Sequence, residues 1–318
     1  MIQNPALADV QVNDEIDGFY LLTDATVRSS ANGSHFLSAT LSDRSGSISL
    51  KMWDYTGSIG PGDNGSAVRV RGTVGDYKGV KQLTARRLRL ALPEDNVDPG
   101  QLVPTAPIDP VEALEEIREL IRSMADEDYL RIAETLFSRN EEKFSTVPAA
   151  KSVHHGFHGG LLMHTLNMLR TADYLADLYA EVINRDLLLA GTLLHDLAKI
   201  REFSLSPLGI VRDYSVEGQL LGHLVMGAQE AANAAEELGT PKEKAVLLQH
   251  LILSHHGEPE FGAAVRPMCA EAELLHLIDM MDSRMEIYAE TLHTTDSGSF
   301  SERIFALDRK VYKPSDME

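Results

Sequence analysis

The sequence is poor in features that define several protein classes. It holds one cysteine, Cys269, in 318 residues. That excludes a disulfide framework and fits a reducing cytoplasm. No apolar run reaches the about 20 residues of a membrane span, so no membrane partner is expected. The opening Met-Ile-Gln-Asn-Pro lacks the basic and apolar segments of a signal peptide. Basic residues are also scarce, with 29 Lys and Arg against 48 Asp and Glu. A phosphate backbone calls for the opposite balance.

The shortage is uneven. Residues 1–92 carry 10 Lys/Arg and 9 Asp/Glu, while the remainder carries 19 and 39 and holds eleven of the twelve histidines. Most of the acidic excess reads as a solvated face. A near-neutral first part and an acidic, histidine-rich second part predict two domains.

Residues 8–92 read as five short strands: Gly18–Arg28, His35–Ser42, Ser47–Trp53, Ala67–Val74 and Gln82–Leu92. Turn signals such as Asp43-Arg-Ser-Gly46 and Lys78-Gly79 separate them. Five strands in this length predict a small closed barrel of the oligonucleotide-binding (OB) type, with an unliganded barrel as the alternative. Residues 93–110, with Pro104, Pro107 and Pro110, read as a semi-rigid spacer. Residues 111–296 then repeat helical apolar spacing over Val111–Met124, Leu161–Tyr179, Arg185–Lys199, Glu217–Leu238, Pro241–His255 and Cys269–Leu292. Two non-helical inserts, Glu202–Ser215 and Gly257–Met268, follow candidate metal residues and are expected to wall a cleft. A polar tail covers 297–318, where Phe300, Ile304, Phe305 and Leu307 are placed to dock a short segment.

The sharpest chemical signal is His195-Asp196, at the end of the apolar run Ala190-Gly-Thr-Leu-Leu. A carboxylate beside such a run costs much free energy unless paired or metal-bound. The pair has company. His164 lies one helix earlier, His223 one helix later, His255-His256 ends the next, and Asp279 sits in the last long helix. Helical bundles build core sites from facing helices in this way. The set is too large for one ion and suits two that share a carboxylate.

These residues, in the phrases Gly-Gly-Leu-Leu-Met-His164, Leu-Leu-His195-Asp196-Leu-Ala-Lys, Glu-Gly-Gln-Leu-Leu-Gly-His223 and Ile-Leu-Ser-His255-His256-Gly, resemble the HD phosphohydrolase superfamily. Within it the chain is most similar to the YhaM-type 3′-to-5′ exoribonucleases, which place an OB barrel ahead of an all-α HD domain. The resemblance implies that His164, His195, Asp196 and Asp279 hold one ion, and Asp196, His223, His255 and His256 another. It implies Mn²⁺; the donor set also suits Fe, Co, Ni or Zn. Two-metal cyclic-dinucleotide hydrolases share the skeleton but typically carry Gly-Tyr-Pro after the paired histidines, where this chain has Gly257-Glu258-Pro259.

Around that centre, Asp196 and Lys199 are the expected catalytic groups. The resemblance adds His154 and His155 near the cleft. Asp282 is expected to orient a ligating histidine, and His250 and His276 to be structural. Arg212 and Arg266, in the inserts, are candidates for gripping a phosphate. On the barrel, Trp53, Tyr55 and Tyr77 are candidates for stacking bases, and Lys51, Arg69, Arg71, Lys78 and Lys81 for the backbone. Phe36 is a fourth stacking candidate, and the first of the four expected to fill the barrel core instead. The function expected is hydrolysis of single-stranded RNA, or DNA, from its 3′ end by a metal-activated water. A dinucleotide phosphodiesterase and a non-catalytic nucleic-acid-binding protein stand as alternatives, and a homo-oligomer is compatible with the family.

Overall fold

The computed structural model describes residues 4–29, 33–150, 156–206 and 208–315. It divides into two compact units, one running to Thr105 and including Leu205–Arg212, the other formed by Ala106–Ser204 and the chain from Asp213 onward.

In the first unit, β1 (Glu15–Ser29), β2 (His35–Asp43), β3 (Gly46–Met52), β4 (Ala67–Tyr77) and β5 (Val80–Leu90) form a closed barrel in the order β1-β2-β3-β5-β4. All five expected strands are present; β1 and β4 run a few residues longer, and the others agree within two residues at each end. The length of β1 closes the barrel. Its first half pairs with β4 (Glu15 opposite Thr73) and its second with β2 (Ser29 opposite His35). A bulge between Thr23 and Thr26 bends the strand from one partner to the other. Parallel pairing of β3 with β5 seals the far side. Alternation sends Leu37, Ala39 and Leu41 inward to meet Tyr20, Leu50 and Val70. Residues 93–105, expected as a spacer, pack here: Leu102 and Val103 are buried with Leu21, Ala67 and Leu208.

The second unit is helical: α1 (Pro110–Arg122), α2 (Glu127–Phe144), α3 (Gly160–Leu178), α4 (Arg185–Leu194), the single turn α5 (Lys199–Glu202), α6 (Val216–Leu238), α7 (Lys242–Ser254) and α8 (Ala270–Thr294). Asp109 caps α1 by accepting from the amides of Val111 and Glu112, with Pro110 in the first turn. Helix α2 has no counterpart among the expected helices. Its signals are the Asp126 cap and the buried run Tyr129, Ile132, Ala133, Leu136 and Phe137. Helix α4 is buried from Asp186 to Leu194. Gly191 lets α7 come close, since a β-carbon there would lie 2.3 Å from Leu251 Cδ2. A short hairpin, β6 (Phe203–Leu205) with β7 (Val211–Tyr214), interrupts the helices after α5. In the tail, Leu307 and Val311 are buried against Ile287, whereas Phe305 is fully exposed.

Candidate metal centre and barrel surface

Four helix features aim ring nitrogens at one point. Helix α4 stops at Leu194, earlier than its apolar pattern suggests, and His195 takes the capping position. Its Nδ1 donates to the Thr192 carbonyl at 2.7 Å. His255 caps α7 in the same manner, with Nδ1 donating to the Ile252 carbonyl at 2.8 Å. A carbonyl only accepts, so Nδ1 carries the proton and Nε2 presents a lone pair. Both histidines thus use the unsatisfied carbonyls of a helix end to fix their tautomer.

Carboxylates orient the other two. His164, near the start of α3, places Nδ1 2.7 Å from Asp282 Oδ2. His223 follows a break in α6, where Gly222 takes φ 70°. The amide freed by that break donates to Glu202 Oε1 at 3.0 Å, and His223 Nδ1 lies 2.9 Å from the same oxygen.

Asp196 stands between the four Nε2 atoms. Its Oδ2 is 3.3 Å from His195 and 3.8 Å from His164. Its Oδ1 is 3.4 Å from His223 and 3.7 Å from His255. Asp279 Oδ1 approaches His164 Nε2 at 3.4 Å. Three overlapping groups, His164-His195-Asp196, His195-His255-Asp279 and His223-His255-His256, each bring their donor atoms within 4.8 Å of one another. His195 Nε2, Asp196 Oδ1, His223 Nε2 and His256 Nδ1 are buried without a hydrogen-bond partner. Buried lone pairs left unsatisfied are costly. Several converging on one space fit a cation there, and the mix of imidazole and carboxylate suits a transition metal.

Electrostatics point the same way. Burial would raise the Asp196 carboxyl, but the Lys199 ammonium and the neighbouring imidazoles hold it well below the ordinary carboxylate range. Burial, with His195 and His256 alongside, pushes His255 far down, so it is neutral as a ligand must be. Burial also lowers His256. His164 is the exception: desolvation would lower it, yet Asp279 and Asp282 lift it to about 9, so an ion at its Nε2 would have to displace a proton.

Other expected residues divide. Lys199 Nζ is 2.6 Å from Asp196 Oδ2. Asp282 orients His164, as expected. His276 donates from Nδ1 to the His255 carbonyl at 2.9 Å, and His250 Nε2 accepts from the Met268 amide at 2.9 Å. Arg266 pairs with Glu258 at 2.7 Å. Arg212 belongs to the barrel unit and donates to Ser66 Oγ at 3.2 Å. His154 and His155 lie outside the described residues. Glu202 was not among the expected site residues. Its signal was the three-residue step Asp196, Lys199, Glu202, which repeats one face after the break in α4.

On the barrel, Trp53 and Tyr77 are half exposed. Phe36 joins them, its centroid 5.0 Å from that of Trp53, which corrects its expected place in the core. The parity of β2 decides this: Leu37, Ala39 and Leu41 take the inward positions, so Phe36 faces out. Lys51 Nζ lies 5.1–5.7 Å from the Phe36, Trp53 and Tyr77 rings, and Lys78 Nζ is 5.5 Å from Tyr77. Tyr55 is also corrected. It is buried in the barrel core with its hydroxyl donating to the Ile59 carbonyl at 3.0 Å, and offers no stacking face. Lys81 donates to the Val10 carbonyl at 2.6 Å. Arg69 and Arg71 both reach Asp17.

A barrel with an exposed aromatic face, and a helical unit with a buried histidine–aspartate centre, define an HD-domain protein with an appended OB fold. Family models agree: the HD domain matches residues 161–284, and the OB-fold nucleic acid binding domain (tRNA_anti-codon) matches residues 23–91. An HD domain of this kind is a metal-dependent phosphohydrolase, and the OB fold is a nucleic-acid-binding module. Among curated relatives, the 3′-5′ exoribonuclease YhaM of Listeria innocua is 40% identical over 312 residues, covering 97% of this chain and 98% of the relative. The protein of that name from Bacillus subtilis is 39% identical over 310 residues, covering 96% of both. The one from Geobacillus sp. is 40% identical over 310 residues, covering 96% and 93%. The chain belongs to the YhaM family. Among the described residues no helix is long and apolar enough to cross a membrane.

Proposed function

We propose that this protein removes nucleotides from the 3′ end of single-stranded RNA, and secondarily of single-stranded DNA, with two divalent ions, Mn²⁺ foremost. The observation that carries the reading is the placement of Asp196, whose two oxygens face two different sets of imidazole nitrogens. His164, His195, Asp196 and Asp279 would hold one ion, and Asp196, His223, His255 and His256 the other. Such a pair, when bound, would supply a hydroxide at neutral pH and positive charge for the phosphodiester oxygens.

The chain's own groups do the remaining work. Asp282, Glu202 and the two helix-end carbonyls hold the imidazoles in the tautomer that presents Nε2. The Lys199 ammonium balances the Asp196 carboxylate and places positive charge where negative charge grows on phosphate oxygens. On the barrel, Trp53, Phe36 and Tyr77 offer rings to successive bases, and Lys51 and Lys78 attract the backbone. That aromatic face favours a polymer over a dinucleotide. The 3′-5′ activity for which the relatives are named supplies the direction.

The test is hydrolysis of a 5′-labelled single-stranded RNA with Mn²⁺, comparing the native chain with Asp196→Ala. A descending ladder, absent in the variant, is expected. Intact RNA alongside cleaved dinucleotides would replace this reading with a dinucleotide phosphodiesterase.

A further inference from the structure

Four arginines occupy the outer face of β4 and β5, and the ladder sets them directly opposite one another: Arg69 against Arg89, and Arg71 against Arg87. Like charges in opposed cross-strand positions destabilise a sheet, so the pairing of arginine with arginine gains nothing for the fold by itself. A fifth, Arg86, joins them through a break in register between Arg71 and Gly72. Ala85 is buried, yet Arg86 and Arg87 after it are both exposed, where strict alternation would turn one inward. Bulges re-aim side chains in this way. Gly72 permits this one, since a β-carbon there would lie 2.4 Å from the Thr84 carbonyl oxygen.

The cluster is held in place. The guanidiniums of Arg69 and Arg89 lie 5.8 and 5.9 Å from the centroid of one ring, the buried Phe19. Asp17 meets Arg69 at 3.0 Å and Arg71 at 2.5 Å, Asp95 grips Arg89 at 2.6 Å, and Glu15 pairs with Arg86. Five arginines thus share three carboxylates, and Arg87 makes no ion pair among the described residues. Between them runs a cleft of about 520 Å³, also lined by Met52 and Leu88.

We propose that this arginine cleft is a second nucleic-acid site, a phosphate track that carries a strand onward from the aromatic face. The proposal rests on the reading of the chain as a single-strand nuclease. Met52 ends β3 and lines the cleft; its chain neighbours Lys51 and Trp53 turn to the other side of the strand, so the two surfaces meet at the end of β3. Outward positions along a strand repeat at about 6.6–6.8 Å, the scale of successive phosphates in an extended nucleic acid. Arginine forks engage phosphate oxygens bidentately, and the apolar lining suits a sugar or base edge. The competing occupant is an acidic protein surface, such as the helical unit of a second copy. The phosphate-scale repeat and the apolar lining favour nucleic acid.

The test is equilibrium binding of the full-length, metal-loaded protein to an oligoribonucleotide whose 3′ phosphorothioates resist cleavage, measured across salt concentrations. For Arg71→Gln/Arg87→Gln the slope of log K against log salt is expected to fall by about 0.7 for each arginine that had met a phosphate, with roughly tenfold weaker binding at low salt. Arg87→Lys is expected to keep most of the slope. Thermal unfolding separates lost contact from lost fold: Arg87→Thr relieves like-charge opposition and is expected to melt at or above the native midpoint while binding less tightly. An unchanged slope in a folded double variant, with the native chain binding, overturns the track and leaves the nuclease reading intact. A native chain that binds no single strand overturns both. A shift in oligomeric state with RNA affinity unchanged assigns the cleft to a second copy and also overturns the proposal.

Discussion

The two units solve opposite problems. The metal centre is buried, and four of its five imidazoles are fixed by a second group, Asp282, Glu202 or a helix-end carbonyl; His256 has no such partner at Nδ1. The barrel surface is exposed, and its arginines hold carboxylates that water or phosphate can replace. Low dielectric strengthens each interaction in the first case and makes each unpaired group expensive; solvent and salt weaken them in the second. The centre should therefore respond to substitution steeply, and the barrel by degrees.

The largest effect is expected at Asp196. Asp196→Ala removes the shared carboxylate and leaves the partly buried Lys199 without its partner, a loss of at most about 3–5 kcal/mol, the range for fully buried pairs. Hydrolysis should disappear, and elemental analysis should show less bound metal. Asp196→Asn keeps the shape, so a folded but inactive Asn variant would separate chemistry from stability. Residual activity in either variant would break the contrast between the units. Removing metal with a chelator should lower the unfolding midpoint. Ligand saturating at about 100 times its Kd contributes about 2.7 kcal/mol.

The next effect tests whether the outer partners matter as the geometry implies. Glu202→Ala frees His223 to rotate and strands its amide, and Asp282→Ala does the same to His164 Nδ1. Loss of such partners typically costs about 10–100-fold in metal affinity or activity. Metal titrations followed by activity should show the shift, with excess Mn²⁺ restoring part of the rate. A variant unmoved in metal affinity would show that packing alone aims the ring.

On the barrel, Trp53→Ala is expected to weaken strand binding by about 1–3 kcal/mol, the range for one stacked base. It should raise KM for long RNA more than it lowers kcat. Tyr55→Ala is the control that sharpens the comparison. Its ring is core, so its effect should appear as a lower unfolding midpoint.

Much of this was legible in the sequence, for reasons that differ by residue. The metal set stood out because polar side chains interrupted apolar helical runs, and His195-Asp196 did so most plainly. The barrel stood out through alternation and turn residues. Glu202 did not, because its partner His223 is 21 residues away and the two meet only through the kink at Gly222. Tyr55 was misassigned because it follows β3, where alternation no longer dictates facing. Helix α2 lay in a polar stretch whose buried stripe emerges only once its cap is recognised. The opposed arginines of β4 and β5 required the register, and the bulge at Arg86 hides that register from any count of residues.

The smallest effect expected is one of pH. Asp95 grips Arg89 through two hydrogen bonds, 2.6 and 2.8 Å, and accepts from the Leu92 amide at 2.7 Å. The Arg89 fork and that amide bring its carboxyl down to about 2, below the about 3.9 of an unfolded aspartate. A depressed folded value favours the native state above the unfolded pKa, and that advantage fades as pH falls from about 4 through about 2. Asp95→Asn should therefore lower the unfolding midpoint slightly at neutral pH, and the two curves should converge by about pH 2. Because the pair lies at the surface, added salt should narrow the gap at neutral pH. A gap that persisted undiminished in acid would mean that Asp95 acts through packing rather than charge, and the barrel would then resemble the metal centre more than the contrast allows.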